Sequence, residues 1–523
     1  MKRIVALILC LCLLMTVYGC GKKQNAQENP QNSQSIYVGD GISLACNTAD
    51  SFNPYKSKTT LNRLIGSLLY DTLVAVDSEY TAVNVLADSI SVSEATCTVT
   101  LKNALFSDES YVTAEDVIYS FNLAKSSSYY SPRLEEFTSA TFVDTKTVVF
   151  TATKKDEYMA NLLTFPIIKK DSDTLKNEDN VELPPIGSGR YRLNGDLKGL
   201  TANQKHHTTV PTVQSVKLIN TPDQEALSHA IEIGAVDMYY TDLSDCNILR
   251  MSGSRVNVGL NNLVYIGVNL NKPLLKNANM RHGISAGINR AKICEDAYYT
   301  NAVVATGVYN PAWKTVKGIQ TIQTESKFEI SIENFKKIGY NKKNNEGFFV
   351  NANDDVIELR LLVNEENAFR NNAANLIAAQ MAAVGIKIKI ESVPYNQYVA
   401  RLTAGQFDLY LAEVNINDNM DLTELLCSGG KAAYGIEKAD AKKTEGEENQ
   451  TEGPQAVTFE EVVKGVYNGK STVSDVASMA VSELQIIPIC YRTGILFCSE
   501  EIKEPQIFSS MDIYSVLNTL NLE

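Results

Sequence analysis

Between residues 376 and 411 the chain twice reads as a helix closed by glycine and followed at once by a strand, an order that few folds accommodate. Leu376, Ile377, Gln380, Met381 and Val384 form a helical stripe that stops at Gly385, a residue suited to the left-handed cap. Ile386-Lys387-Ile388-Lys389-Ile390 then alternates with period two, as a strand does. Tyr395 to Ala404 predicts a second helix, Gly405 ends it, and Phe407-Asp408-Leu409-Tyr410-Leu411 is apolar enough for a buried strand. Helices feeding strands in this way predict an α/β lobe with a largely parallel sheet.

The rest of the chain alternates similarly. Thr96–Leu101 and Thr147–Phe150 read as strands, with a helix between them whose N-cap is Thr113 and whose first turn holds Glu115 and Asp116. A further helix is predicted from about Asn279, with Met280, Ile284, Ile288 and Ala291 on one face. Asn341–Asp355 and the acidic stretch Glu437–Gln455 look inserted and read as mobile surface loops, too polar to order themselves.

The chain opens with Lys2 and Arg3, an apolar stretch of fourteen residues from Ile4 to Val17, and then Gly19-Cys20. Such a stretch is short of the roughly 20 residues a membrane helix needs. Residues 1–19 therefore read as a secretory signal. Gly19-Cys20 resembles the bacterial lipobox, which makes Cys20 the lipidation site, and the polar residues 20–35 follow as a flexible tether. The predicted location is extracytoplasmic, with the membrane reached through this lipid alone. The formal charge is −13, and more negative once Lys2 and Arg3 leave with the signal, which argues against nucleic acid as a partner. Seven scattered cysteines remain beyond Cys20, without metal-ligand spacing. His206 and His207 are adjacent and would face opposite sides of a strand, so no metal and no cofactor is predicted.

A series of short blocks then resembles one family, the extracytoplasmic solute-binding proteins of the peptide and nickel type, family 5. The blocks are Ser51-Phe52-Asn53-Pro54, Leu69-Tyr70-Asp71-Thr72-Leu73, Phe106-Ser107-Asp108 with Thr113-Ala114-Glu115-Asp116-Val117, and Gly187-Ser188-Gly189-Arg190-Tyr191. Val268-Asn269-Leu270-Asn271, Asn289-Arg290, Ala383-Val384-Gly385-Ile386 and Gly405-Gln406-Phe407-Asp408 continue it in order. The resemblance implies a two-lobe α/β fold of the periplasmic-binding-protein type (type II, cluster C), with an extra subdomain in the first lobe. The first lobe would hold 36–56, 186–265 and 488–523, the extra subdomain 57–185, and the second lobe 266–487. It also implies a monomer that closes on a small solute, a dipeptide or oligopeptide, and delivers it to the permease of an ABC importer.

In peptide-binding members an aspartate after a tryptophan holds the ligand ammonium. Here the tryptophan is missing and the strict spacing falls on Asn417, so Asp418 and then Asp421 are the candidates. Asn415, Asn269 and Tyr434 are further candidate ligand contacts. Two alternatives stand beside import: a peptide-sensing receptor on the same fold, and a serine hydrolase of the penicillin-recognising type. The second rests on Ser428-x-x-Lys431 and Arg492-Thr493-Gly494, although glycines follow the serine where that family has a long helix.

Overall fold

The computed structural model describes residues 41–319, 321–436 and 457–520. The predicted signal, Cys20, the tether 20–35 and the acidic loop 437–455 lie outside the described residues.

The helix–glycine–strand order is realised. Helix Ala368–Val384 ends at Gly385, whose φ of 112° only glycine adopts readily, and strand Lys387–Val393 follows. Helix Tyr395–Thr403 leads past Gly405, at φ 65°, to strand Leu409–Asn415. Strand Glu358–Asn364 lies parallel to both of these strands, as crossover helices require.

These strands belong to one eleven-stranded mixed sheet. From one edge its order is Lys387–Val393, Glu358–Asn364, Leu409–Asn415, Ser254–Val268, Ile486–Cys498, Met238–Thr241, Ile42–Cys46, Ser215–Asn220, Gly199–Ala202 and Tyr191–Leu193. Ala302–Val304 joins it by pairing with Ile486–Cys498. Ser254–Val268 and Ile486–Cys498 run antiparallel, and their lengths of 15 and 13 residues let them serve both halves. At a rise of about 3.3 Å per residue, each spans roughly 45 Å. Leu409–Asn415 pairs with one end of this ribbon and Met238–Thr241 with the other. Their mutual register shifts between Gly259 and Leu263 and again between Val264 and Tyr265.

A separate four-stranded antiparallel sheet is ordered Ala87–Ser93, Thr96–Leu101, Thr147–Ala152, Phe137–Phe142. Helix Ala114–Ser126 covers it, with the Phe121 ring 5.5 Å from that of Phe150 and 6.4 Å from that of Phe137. The helix starts as predicted: the Thr113 backbone N–H and hydroxyl both donate to the Asp116 carboxylate, at 2.9 and 2.6 Å.

Three expectations are corrected. The helix predicted from Asn279 is two, Ala278–Gly287 and Arg290–Asp296, because the Asn289 side chain accepts from Lys292 N and starts a new one. Asn341–Asp355 is not a loose loop but carries the hairpin Lys342–Lys343 with Phe349–Val350. Phe349 and Val350 are buried, and the Phe349 ring lies 6.1 Å from that of Phe335, so two apolar residues anchor an otherwise polar insert. His206 and His207 lie outside any strand, in a turn that follows Gly199–Ala202, and their rings converge with centroids 4.5 Å apart. The seven cysteines of the described residues are free. Among the described residues no helix is long and apolar enough to cross a membrane.

Candidate functional site

A cavity of about 760 Å³ opens where the ribbon, the residues after strand Leu409–Asn415 and the segment from Thr60 to Arg133 approach one another. Its volume lies within the range of about 300–1,000 Å³ usual for small-ligand sites. Its lining includes Asn261, Asn262, Asn415, Ile416, Asn417 and Asp418, together with Arg63, Asp71, Tyr129, Tyr130 and Arg133.

Asp418 sits just past the end of Leu409–Asn415. Its backbone carbonyl accepts from Asn161 Nδ2 at 2.9 Å, and the same amide group donates to the Tyr80 carbonyl at 2.9 Å. The Asp418 carboxylate itself accepts no hydrogen bond from the described residues. The other carboxylates of the wall are all engaged: Asp71 by Ser188, Asp242 by the Ser244 N–H and Asp512 by Arg190 at 2.6 Å. Burial raises the Asp418 carboxyl above its ordinary range, and the positive charge of Arg133 opposes that rise.

Two guanidiniums of the cavity wall share an aromatic surface. Arg63 lies 4.6 Å from the Tyr129 ring centre, and Arg133 lies 5.6 Å from Tyr129 and 5.4 Å from Tyr130. Their hydrogen bonds go to neutral groups, Lys58 O and Thr60 Oγ1 for Arg63 and Thr164 Oγ1 for Arg133. Among the described residues neither forms an ion pair.

The turn Gly187-Ser188-Gly189 holds Asp71 in place. A Cβ on Gly187 would meet the Leu69 carbonyl at 2.1 Å, and one on Gly189 the Leu68 carbonyl at 2.4 Å, so only glycine lets this turn lie against the chain before Asp71. Ser188 Oγ then donates to Asp71 Oδ2 at 3.1 Å.

The other predicted residues are distributed unevenly. Asn415 lines the cavity, donating to Asn262 Oδ1 at 2.8 Å; Asn262 donates in turn to Glu413, which pairs with Arg492 at 2.9 Å. Asp421 does not line the cavity. It pairs with Lys154 at 2.6 Å and accepts from Thr423 N and Oγ1. Burial works to raise its pKa, but Lys154 and Thr423 hold the carboxyl below its ordinary value. Asn269 is buried and ties backbone instead, donating to the Phe407 and Gly405 carbonyls at 2.9 and 3.2 Å. Tyr434 packs edge-on against Tyr410, with ring centres 6.1 Å apart, away from the cavity wall. Lys431 reaches Glu135 at 2.6 Å rather than Ser428, and Thr493 and Gly494 lie within the buried strand Ile486–Cys498.

Residues 81–433 match the family described as bacterial extracellular solute-binding proteins, family 5 Middle. The oligopeptide-binding protein AppA of Bacillus subtilis is 21% identical over 426 residues, covering 77% of this chain and 78% of that protein. The peptide transport periplasmic protein SapA of Salmonella typhimurium is 25% identical over 451 residues, covering 77% and 79%. A crystal structure described as a nickel ABC transporter from Bacillus halodurans superposes with a TM-score of 0.71 at 16% identity, covering 90% of this chain and 98% of that one. The likeness is to the two-lobe α/β fold of that class.

Proposed function

The chain belongs to the bacterial extracellular solute-binding proteins of family 5, and on that premise we propose that it captures a short peptide in this cavity and delivers it to an ABC importer. The observation that carries the reading is one of charge. A single cavity presents Asp418, whose carboxylate accepts no hydrogen bond from the described residues, and two guanidiniums that form no ion pair among them, Arg63 and Arg133, the second of which acts on Asp418 through its charge alone. A zwitterion with its ammonium on Asp418 and its carboxylate toward the arginines would satisfy all of them, provided that water is excluded.

Closure would supply that exclusion, with the register break at Gly259–Leu263 in the ribbon as the hinge. In this reading the segments 36–56, 186–265 and 488–523 form one lobe, 57–185 its extra subdomain and 266–487 the second lobe. Cys20 would carry the lipid that keeps the protein at the membrane. Cys20→Ser should then release the protein into the medium or leave an unprocessed precursor; a processed Cys20→Ser protein still held at the membrane would remove the anchor from the proposal.

The site is tested by calorimetry with a tripeptide and its N-acetylated form. The parent should bind the free peptide one-to-one and prefer it over the acetylated one. Asp418→Asn leaves the ammonium buried without its counter-charge and should cost about 3–5 kcal/mol of binding free energy. Equal binding of the free peptide by parent and variant would overturn the role of Asp418.

A further inference from the structure

Asp71, His206 and His207 come together although the chain separates the first from the pair by more than a hundred residues. His206 Nε2 lies 3.2 Å and His207 Nε2 3.1 Å from the same oxygen, Asp71 Oδ2. One donor atom from each of the three lies within 4.8 Å of the others. Both imidazole side chains are almost wholly buried, at 2% and 3% exposure, and Asp71 is at 8%. Asp71 and His206 line the cavity, so the cluster has one open side, toward the solute.

We propose that Asp71, His206 and His207 hold a borderline divalent cation such as Zn²⁺, Co²⁺ or Ni²⁺ in the cavity wall, with its remaining coordination positions turned to the cavity. Two imidazole nitrogens and one carboxylate oxygen suit such ions and not Mg²⁺ or Ca²⁺, which take oxygen shells. Metal–ligand bonds of about 2.0–2.1 Å place adjacent donors about 3 Å apart, the spacing found here between each imidazole nitrogen and the carboxylate oxygen.

His206 Nδ1 lies 2.9 Å from the Thr209 carbonyl oxygen and 3.2 Å from the Thr209 nitrogen, whose N–H can donate to it, so this turn accommodates either tautomer of the ring. A ligating histidine is oriented through its second nitrogen, and in the tautomer that donates to Thr209 O the His206 Nε2 lone pair faces the Asp71 carboxylate with room for a positive charge between them. His207 Nδ1 is buried and has no hydrogen-bond partner among the described residues, so no bond on that side commits its ring to either tautomer. An ion on His207 Nε2 would take the place of its 3.1 Å contact with Asp71 Oδ2.

The inference does not rest on the peptide reading, because the metal alone is the probe. The purified untagged protein, stripped with a chelator and dialysed, is titrated with Zn²⁺ by calorimetry. One ion per chain is expected. His206→Gln and His207→Gln should each weaken binding at least tenfold, while His229→Gln and His282→Gln, which cover the other two of the four histidines, should leave it unchanged. Should the first two variants fail to fold, the imidazole NMR signals of the parent decide. With two of the four assigned through the His229 and His282 variants, only the remaining pair should shift on adding Zn²⁺. A parent that binds no ion, binding that survives both site variants, or a remaining pair that does not move would overturn the proposal.

Discussion

Asp156 offers a prediction with a definite sign. It is 7% exposed, accepts from Asn419 Nδ2 and the Tyr158 N–H at 2.8 Å each, and has no cation in direct contact among the described residues. Burial pushes its carboxyl up to about 6 from an ordinary 3.8; Asp421 adds to the rise, and the two hydrogen bonds and Lys154 oppose it. Because the folded state holds this proton more tightly than the unfolded one, the contribution of Asp156 is most favourable below pH 4. It declines as pH rises from about 4 to about 6 and is level above that. At about 1.4 kcal/mol per pH unit, keeping the ionised form buried at pH 7 costs on the order of 3 kcal/mol. Asp156→Asn removes that cost but gives up one acceptor, worth about 1 kcal/mol. The variant should therefore be more stable than the parent by roughly 1–2 kcal/mol at pH 7 and no more stable at pH 4. Urea unfolding of both proteins at a series of pH values between 4 and 8 measures the difference directly. A difference that does not change across that range, or a variant less stable at pH 7 than at pH 4 relative to the parent, would refute the reasoning.

Other substitutions separate structural from binding roles. Asp421→Asn should lower stability by removing a partly buried partner of Lys154, yet leave peptide affinity within about twofold, as calorimetry would show. Gly187→Ala forces a Cβ into the Leu69 carbonyl and should destabilise by more than about 3 kcal/mol, seen as loss of the folded protein on heating. Phe349→Ala should cost about 3–5 kcal/mol in urea unfolding if the hairpin is anchored as described, whereas a loose loop would lose nothing.

The elements that were legible in the sequence are those decided by local pattern. The stripe ending at Gly385, the alternation after it and the Thr113 cap all depend on residues within a few positions of one another. The hairpin at 342–350 was not legible, because its stability comes from Phe349 meeting Phe335, and composition alone makes the segment look solvated. The two histidines were visible but misjudged: assuming a strand sent their rings apart, and the turn brings them together. Arg63 and Arg133 carry no signal at all in the sequence. They become cavity residues only because Tyr129 and Tyr130 lie between them, a tertiary fact. Asp418 was reachable through the family's aspartate spacing, which falls one residue before it on Asn417, but only the packing distinguishes it from Asp421, which Lys154 occupies.

The central ribbon also governs how this chain folds. Met238 pairs with Cys498 and Ser254 pairs with the same residue, so the middle of the sheet waits for a strand made almost last. Contacts this distant in sequence carry a large loop-closure cost and slow the search for the native state. Until Ile486–Cys498 arrives, Met238–Thr241 and Ser254–Val268 each lack a neighbour and present open edges. A chain truncated before residue 486 is therefore not a smaller binding protein but two half-sheets with exposed backbone, a substrate for aggregation and proteolysis.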